Sequence, residues 1–150
     1  MRNSVMLKGA AALAAALALG GCETVADVVG GEEFSAALRG ASVPGGGDPD
    51  GSGLAEFTID GTTMQVCYEM NVTGIAPATM AGVHQGTAGQ KGPRVIELEA
   101  PTDGDSDGCQ FIGEDLADAI IANPAGYYVH VVNADYPNGA VRGQLGHADH

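Results

Sequence analysis

Histidines, one interior arginine, cysteines and a run of carboxylates are the residues of this 150-residue chain whose types and spacing could do chemistry. Of its four histidines, His147 and His150 fall in a polar C-terminal tail. His84 and His130 could meet from adjacent strands, with Asp135 near enough to join them, and hold a transition metal through imidazole nitrogens. The plainer reading is a pair of surface or hydrogen-bonding histidines. Arg142 lies on the strand face opposite Val141 and Leu145, where it is a candidate binding residue or, more simply, forms a buried or bridging ion pair with an acid. The stretch Asp103-Gly104-Asp105-Ser106-Asp107-Gly108, with Glu114 further on, satisfies the calcium-loop pattern. It has alternating oxygen ligands at Asp103, Asp105 and Asp107, a turning glycine at the sixth position and a carboxylate at the twelfth. A helix entering that loop is missing, and Gln110 stands where an apolar residue is usual, so a solvated acidic turn competes with calcium.

Other chemistry finds less support. Gly86, Gly89 and Gly92, with Lys91 and Arg94, could cradle an anion, but a phosphate loop opens a helix and Val95-Ile96-Glu97-Leu98 reads as a strand. Turn geometry explains those glycines better. Tyr127, Tyr128 and Tyr136 could form a stacking patch, although packing of at least two of them into the core is the simpler expectation. No Gly-x-Ser-x-Gly is present, and scattered carboxylates do not make a glycosidase, so the chain reads as a non-enzyme.

Composition sets the surroundings of these groups. Nineteen acidic residues against six basic ones give a formal charge of −13, which excludes a nucleic-acid partner, since a phosphate backbone demands clustered Lys and Arg. The N-terminus carries Arg2 and Lys8, an apolar run to Leu19, then Leu19-Gly20-Gly21-Cys22. That is the form of a signal peptide over residues 1–21, too short to span a bilayer, ending in a bacterial lipobox with Cys22 as the lipid acceptor. Its loss would leave the mature chain still more acidic. Glu23 follows Cys22 in place of the aspartate that favours inner-membrane retention. The expected location is the cell envelope, lipid-anchored, and the outer membrane where the cell has one. In that oxidising compartment the two remaining cysteines, Cys67 and Cys109, are expected to pair.

The elements that must position these groups read as short antiparallel strands. Residues 23–33 form a tether behind Cys22, and period-two alternation begins at Phe34, Ala36 and Leu38. Ala55, Phe57 and Ile59 lead to the hairpin signal Asp60-Gly61, and Met64, Val66, Tyr68, Met70 and Val72 continue on one face. That puts Cys67 on the opposite face, so the disulfide should lie outside the core and staple a loop to this strand. Val95 to Leu98, Tyr127 to Val132 and Val141 to Leu145 read as further strands. The one helix, Glu114 to Ala122, has acids in its first turn and stops before Asn123-Pro124. Many strands and one short helix predict a β-sandwich or Greek-key barrel.

Three segments resemble the chordin (CHRD) domain family. Phe34-Ser35-Ala36-Ala37-Leu38-Arg39-Gly40 is similar to its opening strand. Gly82-Val83-His84-Gln85-Gly86 through Gly92-Pro93 is similar to its His-Ile-His-x-Gly segment, with Gly82 in place of the first histidine. Asn123-Pro124, Tyr127 to Asn133 and Pro137-Asn138-Gly139-Ala140-Val141-Arg142-Gly143-Gln144-Leu145 are similar to its closing motif, with His130 where Asn is usual and Val132 where His is usual. The resemblance covers about residues 34–146 and leaves 147–150 as a tail. It implies an all-β, immunoglobulin-like Greek-key β-sandwich without established enzymatic activity. The resulting expectation is a lipid-anchored, non-catalytic binding or structural module with no cofactor, calcium apart, whose partner is an envelope protein or polysaccharide. One alternative is a metal-dependent enzyme or redox protein using His84 and His130, because the family's His-x-His is superficially similar to copper-zinc superoxide dismutase. Another is a calcium-stabilised surface adhesin.

The lipobox predicts that mass spectrometry of the mature N-terminus will find a lipid-modified Cys22. An unmodified terminus that begins at any other residue removes the anchor.

Overall fold

The computed structural model describes residues 30–149. The signal peptide, Cys22 and most of the tether lie outside the described residues. Alternation of apolar and polar side chains builds the first three strands. β1 (Glu32–Arg39) buries Phe34, Ala36 and Leu38, and β2 (Ser52–Asp60) buries Ala55, Phe57 and Ile59. β3 (Gln65–Thr73) buries Val66, Tyr68, Met70 and Val72. β1 starts two residues before the alternation signalled by Phe34, so Glu32 and Glu33 belong to the sheet and not to the tether.

The β2–β3 turn is longer than the two-residue hairpin that Asp60-Gly61 suggests. The Asp60 carboxylate accepts the N–H groups of Thr63 (3.1 Å) and Thr62 (2.8 Å), which hold its pKa below the ordinary range, and the left-handed position falls to Met64 with φ 57°. Then follow β4 (Ala78–Gln85), β5 (Arg94–Leu98) and β6 (Asp105–Phe111). The helix α1 (Glu114–Ala122) has the predicted bounds, places Glu114 and Asp115 in its first turn and buries Ala117 and Ile120. β7 (Tyr127–Asn133), β8 (Val141–Gln144) and the short β9 (Gly146–His147) complete the chain. β9 pairs with β1 and sets the His147 ring 5.1 Å from Phe34, so the sheet reaches one residue into what reads as a polar tail.

All strand pairs are antiparallel, in the order β5-β4-β7-β8-β1-β2-β3-β6. The sheet folds into two layers, β5-β4-β7-β8 and β1-β2-β3-β6. Between β8 and β1 it is joined through one residue pair, Arg39 opposite Arg142. Along the other side the edges β5 and β6 approach. Gln110 Nε2 donates to the Glu97 carbonyl at 2.6 Å, and the Glu99 N–H donates to the Tyr68 hydroxyl at 2.8 Å. The sheet is thereby nearly closed, which leaves few unpaired edge groups. One apolar core fills the space between the layers, where Phe34, Leu38, Ile59 and Val66 share it with Val83, Val129, Val131 and Val141. This is an all-β fold with one short helix, as the composition predicts.

Besides the short β9, two strands are not readable from the sequence as strands. β4 carries small inward residues, and irregular pairing at Ala78/Met80 breaks its period. β6 runs through the acidic stretch whose spacing fits a calcium loop. Cys67 and Cys109 stand opposite each other in the β3–β6 register and are disulfide-bonded outside the core, so the bond joins strand to strand and not a loop to a strand.

The Cys67–Cys109 bond closes a loop with a sequence separation of 42. Reduction or Cys109→Ser with Cys67→Ser is expected to lower stability by about 4 kcal/mol on the chain-entropy account. Denaturant melts with and without reductant measure it, and coincident curves would show that the bond adds nothing.

Candidate functional site

The outer face of the β5-β4-β7-β8 layer gathers the predicted binding residues. In the register, Gly82 stands opposite His130 and His130 opposite Arg142, while His84 stands opposite Tyr128 and Tyr128 opposite Gln144. Because side chains alternate, these two rows leave the sheet on one side, away from Val83, Val129, Val131 and Val141 in the core.

Tyr128 is the centre of the cluster. The Arg142 guanidinium lies 3.4 Å from its ring centroid, the His84 ring stacks on it at 5.2 Å, and His130 stands edge-on at 6.0 Å. His84 and His130 contact each other in a T-shape at 5.2 Å. Each imidazole spends one nitrogen on a backbone carbonyl. His84 Nδ1 donates to Gly92 (2.9 Å) and His130 Nε2 donates to Asn138 (3.1 Å), leaving Nε2 and Nδ1 respectively without a hydrogen-bond partner among the described residues. The close approach of Asn138 depends on Gly139, at φ 128°, where a Cβ would come within 2.3 Å of His130 Nε2.

Burial lowers the pKa of His130. The Asn138 carbonyl opposes that, and the positive charges of His84, Arg142 and Lys91 add to it. Burial also lowers that of Arg142, against the pull of Tyr128. Arg142 nonetheless stays charged at neutral pH, since a guanidinium does not lose its proton in proteins.

The ion pair expected for Arg142 is absent. The residue is only 2% exposed, and Nη2 donates to the Thr87 carbonyl (3.0 Å) and to Gln144 Oε1 (3.1 Å), neither of them an anion. Gln144 Nε2 in turn donates to the carbonyls of Gly86, Ala125 and Tyr127. The Gly92 N–H donates to the Tyr128 hydroxyl at 3.0 Å. The glycine loop between β4 and β5 is therefore a roof pinned over the cluster and not a phosphate cradle. A Cβ at Gly92 would lie 1.6 Å from the Gln85 carbonyl oxygen, so close backbone approach demands that glycine.

Beside the histidines runs a groove. A cavity of about 220 Å³ is lined by His84, Lys91, His130, Asn138 and Arg142, and a second of about 460 Å³ by Met80, Val132 and Ala134 with Arg94, while His84, His130 and Pro137 line both. At Gly82 the Arg94 side chain fills the room, since a Cβ there would meet Arg94 Cδ at 2.6 Å. The sequence offers Tyr128 only as one of three tyrosines of a stacking patch and Lys91 only as part of an anion cradle; the structure makes Tyr128 the organiser and Lys91 a lining residue beside the histidines. The period-two position of Tyr128 relative to His130 was the available signal.

The other candidates do not converge. Asp105 and Asp107 stand two apart on the outer face of β6, Asp103 precedes that strand and Glu114 opens α1. An extended run over Asp105–Phe111 spans roughly 20 Å, so these carboxylates are strung out and do not ring one cation. Asp105 is instead bonded by the Asn71 side chain. Among the described residues no group of three or more His, Cys, Asp or Glu could hold a metal ion. Asp135 is exposed and no contact brings it to His84 or His130.

The family model for the CHRD domain matches residues 34–145. No curated protein matches the chain.

Because His130 is held neutral, the folded protein takes up its proton at lower pH than the unfolded chain, whose histidine titrates near 6.5. The stabilising contribution is complete above that value and declines as the pH falls through it toward the folded pKa. Melting temperatures from pH 8 to pH 5 are expected to drop for the native protein more than for His130→Asn. Parallel curves would refute the assignment.

Proposed function

The chain belongs to the CHRD domain family, matched over residues 34–145, and from that premise we propose that it is a non-catalytic binding or structural module of the cell envelope, anchored by a lipid on Cys22, with the outer face of β4, β7 and β8 as its binding face. The observation that carries this reading is the pinned cluster of Tyr128, His84, His130 and Arg142 beside an open groove. Its aromatic and backbone contacts hold these side chains in place before any partner arrives, which limits the ordering cost of binding. Leu19-Gly20-Gly21-Cys22 supports the anchor, and the Cys67–Cys109 bond fits an oxidising compartment. The partner class is an envelope protein or polysaccharide.

A metal-dependent reaction at His84 and His130 is less well supported. The positive field of Arg142 and Lys91 that opposes a proton on His130 opposes a divalent cation more strongly.

The test is site-specific photocrosslinking of the full-length protein in cells. A crosslinker at Met80, 52% exposed beside the histidines, is expected to capture an envelope component, while one at the similarly exposed Leu54 (45%) on the other layer does not. Cys22→Ala is expected to move the protein out of the membrane fraction. Equal capture from both positions, or a stoichiometric copper or zinc lost in His84→Ala with His130→Ala, would overturn the reading.

A further inference from the structure

Four Lys and Arg side chains occur among the described residues, Arg39, Lys91, Arg94 and Arg142, in a chain of formal charge −13. Three of them, with His84 and His130, are on one face of one layer. An outer row of the other layer is the reverse. Glu56 stands opposite Glu69 and Glu69 opposite Asp107, so three carboxylates share one cross-strand line. Acids are plentiful, yet among the described residues no salt bridge reaches Arg142 or Lys91, while Arg94 pairs with Glu97 at 3.4 Å. The Tyr128 ring, the Thr87 carbonyl and Gln144 replace part of the water a buried guanidinium loses, but none of them neutralises its charge. An anion entering the cavity it lines would offset it.

We propose that this groove binds a small organic carboxylate, its charged end between Lys91 and Arg142 and its apolar body along Met80, Val132 and Pro137. The first cavity supplies the charge. Arg142 lies at its base, exposed Lys91 stands at its rim, and His84 Nε2 and His130 Nδ1 can donate to an oxyanion once protonated. The second cavity supplies the apolar wall. Met80 is left half exposed there, which an aqueous surface does not favour and an apolar ligand would. A carboxylate is therefore favoured over inorganic phosphate, which would use only the cationic end. The inference rests on the binding face proposed above and specifies what that face recognises.

The experiment is a titration of the purified full-length protein with hexanoate, following the ring signals of His84 and His130 by NMR. Hexanamide keeps the apolar body without the charge, galacturonate keeps the charge on a polar body, and phosphate offers charge alone. Hexanoate is expected to shift both imidazoles and hexanamide neither, with galacturonate and phosphate weaker. Lys91→Glu, at an exposed position that should not disturb folding, is expected to weaken hexanoate about tenfold or more, the effect of losing a charge-assisted contact and gaining a repulsive one. Absence of any hexanoate response, or an affinity indifferent to Lys91→Glu, overturns the proposal. Galacturonate or phosphate binding as tightly as hexanoate removes the apolar body from it. Hexanoate binding without envelope capture at Met80 would leave the carboxylate site standing and refute the envelope partner, so the two readings fail separately.

Discussion

Arg142 brings a guanidinium almost wholly out of water with no carboxylate beside it, and much of the neighbouring structure answers that charge. Leaving it unsolvated would be costly, so each of its contacts must substitute for water. The Tyr128 ring lies under it at 3.4 Å, the Thr87 carbonyl and Gln144 Oε1 accept from it, and Gln144 is held by three backbone carbonyls. Those carbonyls come from the glycine loop, from the turn after α1 and from β7. Satisfying one side chain thus ties together segments far apart in sequence and fixes the stacking surface for His84.

The Arg142-Gly143-Gln144-Leu145 segment shows how a single strand serves both functions. Arg142 and Gln144 reach outward to hold the roof, and Leu145 enters the core. Gly143 faces inward where the layers meet, and a Cβ there would lie 2.2 Å from the Ala37 carbonyl oxygen of β1. The fold closes at this point because that residue has no side chain. Charge is also divided by layer, with Lys91 in the β4–β5 loop, Arg94 on β5 and Arg142 on β8, and a carboxylate row on β2, β3 and β6. Like charges directly opposite one another destabilise a sheet. The Cys67–Cys109 bond, next to that row on the same two strands, counters the repulsion covalently.

What could be read in advance follows from how each element is held. β1, β2, β3, β5, β7 and β8 carry alternating apolar residues, and α1 carries acids at its start and Asn123-Pro124 after its end, so all seven are visible locally. β6 is not, because both of its faces are polar or small. Ser106 even buries a hydroxyl without a partner, and the strand exists because β3 and the disulfide hold it. The same acidic spacing that fits a calcium loop fits an extended strand equally well, and only the ladder with β3 chooses between them.

By itself the sequence determined the all-β class, the bounds of the helix, the pairing of Cys67 with Cys109 and the short list of His84, His130 and Arg142, since composition, period and parity are local or countable properties. Tertiary structure alone decided that these three converge on Tyr128, that Arg142 meets carbonyls and a ring where an acid was expected, and that Asp103, Asp105, Asp107 and Glu114 stay apart. The reason is register. Which residues face each other across β4, β7 and β8 depends on two crossovers between layers and on irregular pairing in β4, and no spacing along the chain encodes either one.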